Sequence, residues 1–176
     1  MRFATIASLL AASLSATTTA SPILQQTQQQ QQHEARAGAP AYVPITPPCS
    51  VSYPLPQTST TAANQTSTDG YRPSAALTAA HQIYAWDRPA SDAAYINATT
   101  LWTNCIEQCN GLSGCKSAFL AYDVPAESHY GAPGGALGIG CRMYDVAVAA
   151  ADFEIITNGS YVRPVAGVIG GEGCAK

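Results

Sequence analysis

Charge is scarce in this sequence. Only 11% of its 176 residues are Asp, Glu, Lys or Arg, and the formal net charge is −3. No basic patch is present, which excludes the electrostatic footprint of a nucleic-acid partner. Histidine is scarcer still. His33, His81 and His129 are scattered along the chain, and neither they nor the cysteines have the ligand spacing of a zinc site. No metal and no cofactor is expected. No stretch reaches the ~20 apolar residues that span a bilayer, so no membrane span is expected either.

Catalytic signatures are missing too. There is no Gly-x-Ser-x-Gly elbow, and Gly134-Gly-Ala-Leu-Gly-Ile-Gly140 lacks the Lys-Ser/Thr of a phosphate loop. It reads as a flexible loop. A glycosidase needs two carboxylates across a cleft. Glu107, Asp123, Glu127, Asp145, Asp152 and Glu154 are available, but Glu107 falls on the solvent side of a helix and Asp145 and Asp152 fit turns and caps. No catalytic residue is expected, and a small hydrolase with paired carboxylates is the runner-up reading.

What is present begins at the N-terminus. Met1-Arg2, the apolar Phe3–Ala12 and the small residues up to Ala20 have the form of a secretory signal peptide, residues 1–20. Outside the cell, six cysteines imply three disulfides. Three N-glycosylation sequons begin at Asn64, Asn97 and Asn158. Residues 21–70 read as an arm: a disordered glutamine tract, a proline-rich extended part carrying Cys49, and a Thr/Ser-rich linker. The folded domain is expected over residues 71–176, and a chain begun at Tyr71 is expected to fold with reduced stability.

That domain is organised around Leu101–Tyr122. Leu101, Trp102, Cys105, Ile106 and Cys109 recur at helical spacing, which predicts a helix over about Thr99 to Cys109. Ser117–Tyr122 has strand composition. Further strands are expected at Gln82–Trp86, Arg142–Tyr144 and Tyr161–Ile169, with Pro164 marking an edge or a bulge. Asp123 to Gly140 is expected as a loop, and Ala147–Phe153 as a helical turn. Cys105 and Cys109 point the same way from one helix face, so each needs a partner elsewhere. The short turn returns Cys115 to Cys109, Cys105 reaches Cys141 on a strand, and Cys49 is left to pair with Cys174.

The run Cys105-x3-Cys109-x5-Cys115, the strand with Phe119 and Tyr122, and Cys141-Arg-Met-Tyr144 together resemble the PAN/Apple domain, of the kind found in small secreted proteins of filamentous fungi. The resemblance covers Leu101–Tyr144 closely and Tyr71–Cys174 loosely. It implies an α+β fold: an antiparallel sheet cradling one short helix, braced by disulfides. It also implies a non-catalytic module that binds carbohydrate or protein at a cell wall or host surface. A disulfide-braced wall or effector protein without a small ligand is the third reading. The residues expected to carry binding are Tyr122, Asp123, His129, Tyr130 and Tyr144, because tyrosines beside polar groups suit sugar stacking and protein contact. The loop Pro125 to Gly140 is expected to supply part of that site.

Overall fold

The computed structural model describes residues 38–56, 70–128, 131 and 133–174. The expected signal peptide, the glutamine tract, Asn64, His129 and Tyr130 lie outside the described residues. At the centre is β4, Ser117–Pro125, buried on both faces from Ser117 to Tyr122. That is why its sequence is a continuous apolar run rather than an alternation. β4 pairs antiparallel with β5 (Leu137–Tyr144) on one side and β7 (Val162–Gly170) on the other. β3 (Gln82–Pro89) lies outside β5 and β1 (Ser50–Ser52) outside β7, giving the order β1-β7-β4-β5-β3. β2 (Gly70–Pro73) and β6 (Phe153–Ile156) form a separate antiparallel ribbon.

Each face of the large sheet is covered. Helix α2, Ala98–Gly111, buries Leu101, Cys105, Ile106 and Cys109 against Leu120, Ile139, Cys141 and Met143. Its first turn is closed by Asn97, whose Oδ1 accepts from the Thr100 N–H at 2.8 Å. The opposite face carries the ribbon and helix α1, Ala75–His81, which pack Phe153 and Leu77 against Phe119 and Tyr144. The rings of Phe119 and Phe153 are 5.3 Å apart.

The α+β class and the antiparallel sheet are as expected. The helix count is not: α1 is a second helix. Ser74 caps it, accepting from the Leu77 N–H at 3.2 Å. With seven residues it is too short to show an apolar period. Its signal was propensity alone, alanines behind a serine cap.

The three disulfides pair as expected. Cys105–Cys141 ties α2 to β5, Cys109–Cys115 closes the turn after the helix, and Cys49–Cys174 joins residues 125 apart in sequence.

Two expectations need correction. First, the folded unit begins at Pro40, not Tyr71. Val43 N–H donates to the Glu107 carbonyl (3.0 Å), and Gln108 Nε2 donates to the Pro40 carbonyl (3.2 Å). Val51 then pairs with Ile169 in β1, and Leu55 is buried at 3% exposure in the second core cluster. Prolines and scattered apolar residues hid this segment, because an extended arm docked on a surface has no periodicity to read.

Second, the loop between β4 and β5 is only residues 126–136. Leu137–Gly140, taken as flexible, is strand. A Cβ on Gly138 would strike the Arg88 carbonyl, and one on Gly140 would strike Val124. These glycines mark close packing rather than freedom. Pro164 does sit at an irregularity: β4 and β7 slip register between Leu120 and Tyr122, opposite Arg163 and Pro164.

Gly167 on β7 supports the helix directly. A Cβ there would come within 2.7 Å of both Trp102 Cζ2 and Val51 Cγ1. Gly167→Ala must push the indole off the sheet, and it is expected to cost about 1–3 kcal/mol. Urea unfolding checks this, and an unchanged midpoint would show that Trp102 has room to yield.

Candidate recognition site

Because β4 and β7 run antiparallel, the C-terminal end of β4 meets the N-terminal end of β7. The end of β3 and the start of β5 lie at the same edge. This loop end also carries loop 126–136, the turn before Tyr161, and a 3-10 helix at Ala90–Ala94. Three residues other than glycine adopt positive φ among the described residues, and all three are here: Asp123 (52°), Tyr161 (51°) and Arg163 (51°). The Tyr161 N–H donates to the Asp123 carbonyl at 3.3 Å. Left-handed backbone costs a non-glycine residue roughly 1–2 kcal/mol, so this arrangement is sustained by the ladders on either side of it.

One product of that backbone is a stacked cation. The Arg163 guanidinium carbon lies 3.7 Å from the centre of the Tyr122 ring, well within cation–π range. Tyr122 is thereby covered, at 5% exposure, while Arg163 is exposed. Burial raises the Tyr122 phenol above its ordinary pKa, and the Arg163 charge partly opposes that rise. No carboxylate pairs with Arg163, and no ion pair engages Asp123, among the described residues. Arg163 thus presents an exposed cation that no ion pair neutralises among the described residues.

The start of loop 126–136 is anchored through Glu127. Arg142, at 5% exposure on β5, bonds Asp87 Oδ1 (2.9 Å) and Glu127 Oε1 (3.0 Å). It also donates to the carbonyls of Trp86 and Cys141. Glu127 is further held by Gln82 Nε2 at 2.8 Å, and its N–H donates to Asp87 Oδ2 at 2.9 Å. At the neck of the loop, Ala126 N–H donates to the Ala136 carbonyl.

The candidate residues thus separate. Tyr122 and Asp123 share the loop end, but Tyr122 serves as the bed for Arg163 rather than as an open stacking face. Tyr144 is fully buried between the sheet and α1, where desolvation pushes its phenol strongly upward. It is core, with no surface for a ligand. Tyr161 and Arg163 were not singled out from the sequence. Inside an apparent strand their only flag was Pro164.

The carboxylates weighed for catalysis are dispersed. Asp145 pairs with His81 at 2.9 Å, Glu154 with Arg72, and Asp152 accepts from the Ala149 N–H at 2.7 Å. The carboxylates that do meet are Asp87 and Glu127, both on Arg142. Among the described residues, no three His, Cys, Asp or Glu side chains gather as a metal site, and no helix is long and apolar enough to cross a membrane.

No protein-family model, curated protein or solved structure matches this chain.

Proposed function

We propose that the protein is a secreted, non-catalytic recognition module of PAN/Apple type. It binds an extracellular carbohydrate or protein, at a cell wall or host surface, through the loop end of its sheet. The observation that carries this reading is the Arg163–Tyr122 stack: an exposed cation with no carboxylate partner among the described residues, held on an aromatic bed by left-handed backbone. Strain of this kind gathers where geometry is needed for a ligand. The helix-to-sheet disulfide and the stapled turn agree with what the family resemblance implies. The disulfides and the exposed sequon asparagines Asn97 and Asn158 fit a secreted glycoprotein. The hydrolase alternative loses ground because Asp87 and Glu127 both accept from Arg142 and are committed to it.

A glycan and extracellular-protein array, probed with the full chain and with Arg163→Gly, tests the reading. Glycine accepts φ near +51° without strain, so the variant should melt at the same temperature or higher. Its binding should weaken by about 1–3 kcal/mol, the loss expected of an anchor. A variant that is destabilised yet binds normally would make the stack a packing feature. A wild-type chain that retains nothing on the array would favour the wall or effector reading without a small ligand.

A further inference from the structure

The turn between β6 and β7 contains Asn158-Gly159-Ser160, exposed at Asn158. The Asn158 carboxamide is folded forward along its own backbone. Its Oδ1 accepts from the Ser160 N–H at 3.0 Å and from the Ser160 hydroxyl at 2.6 Å. Two donors on one amide oxygen polarise the carbonyl and stand ready for negative charge that develops there, as in an oxyanion hole. Gly159 has φ +78° and nothing within 4 Å of the place a Cβ would take, so no side chain hinders an approach from that residue.

A second Asn-Gly pair supplies the contrast. Asn110-Gly111 ends helix α2. The Asn110 Nδ2 is occupied as a donor to the carbonyls of Val43 (3.1 Å) and Pro44 (3.4 Å). Gly111 is packed so tightly against the Ala41 carbonyl that no Cβ fits. Asn97, the other described sequon asparagine, is followed by Ala98 and has a single backbone donor on its oxygen.

We propose that Asn158 is a self-modifying site: where it carries no glycan, it deamidates through a succinimide, with Ser160 as the activating group. The Gly159 backbone nitrogen gives its proton to solvent base and attacks Cγ of Asn158. The N–Cγ bond forms, the Cγ–Nδ2 bond breaks, and the amide nitrogen leaves as ammonia with a proton from water. Water then opens the ring at either carbonyl, giving aspartate or isoaspartate. No electron is gained or lost. The product adds one negative charge to the turn that leads into Tyr161 and Arg163. A glycan on Nδ2 masks the leaving nitrogen, so occupancy of the sequon and this chemistry exclude one another.

The test uses the full chain with its disulfides intact, made in a host that does not attach N-linked glycans. It is aged in neutral buffer and followed by peptide mass spectrometry. Asn158 should convert at least about tenfold faster than Asn110, a difference in barrier that the two environments readily supply. In denaturant, where the surroundings no longer differ, the two Asn-Gly pairs should converge in rate. Ser160→Ala removes the hydroxyl donor and should slow Asn158 severalfold while leaving Asn110 unchanged. Equal rates at Asn158 and Asn110 in the folded chain would overturn the proposal. An Asn158 rate indifferent to Ser160→Ala would overturn the activating role of Ser160.

Discussion

A chain begun at Tyr71, with Cys174→Ser so that no thiol is left over, is expected not to fold cooperatively. The cut removes three things together. Cys49–Cys174 closes a separation of 125 residues, worth on the order of 4–5 kcal/mol in the chain-entropy account of disulfides. Leu55 leaves the core, where its burial contributes about 2 kcal/mol. β1 leaves the edge of β7, taking Val51 from beneath Trp102 and opening the Val168–Gly170 backbone to solvent. Together these losses approach the ~5–15 kcal/mol that holds a typical domain together. Circular dichroism and thermal melting of the shorter chain check this. The full chain carrying Cys49→Ser and Cys174→Ser isolates the disulfide and should still melt cooperatively at lower temperature. A sharp melt from the shorter chain would show that the arm is an accessory.

Arg142→Met should be the most damaging single substitution on the loop side of the sheet. Methionine fills much of the same volume but leaves Asp87 and Glu127 facing each other without their shared cation. Removing one partner of a buried ion pair costs roughly 3–5 kcal/mol. The Glu127 side chain is 43% exposed, so water screens its share and about 3 kcal/mol is the better expectation. The urea midpoint should fall with little change in slope. Asp87→Asn and Glu127→Gln, placed in the same chain, should recover part of the loss, because the damage lies in uncompensated charge. A triple variant no more stable than Arg142→Met would put the damage in the lost bonds to the Trp86 and Cys141 carbonyls instead.

The helix-centred half of this molecule was legible because its constraints are local. Leu101, Cys105 and Cys109 repeat with the helix turn, and two cysteines on one face cannot bond each other, so the pairing followed. The arm was illegible for the opposite reason. Val43 bonds the Glu107 carbonyl, Val51 pairs with Ile169, and Leu55 is buried in the cluster of Phe119 and Tyr144, and nothing in a proline-rich stretch records those partners. Glycine was read with the wrong sign: Gly138 and Gly140 looked like freedom and are tight contacts. At the candidate site, residue type alone points to Asp123, whereas Arg163 is placed on Tyr122 with a backbone angle that composition does not encode. Tyr144 was chosen on the same grounds as Tyr122 and turned out to be interior, because both lie on strands and only the packing of α1 and β6 tells one face from the other.

The closure of β1 on β7 gives the molecule a direction. Ser50 lies opposite Gly170, and Pro40 and Val43 bond to the C-terminal half of α2. Both ends of the folded unit therefore leave from the pole opposite Arg163 and loop 126–136. A tag, a carrier domain or a surface anchor joined at either end would hold the protein by its base. Arg163 would then point outward, and immobilising the chain through either terminus should leave that pole as open as it is in solution.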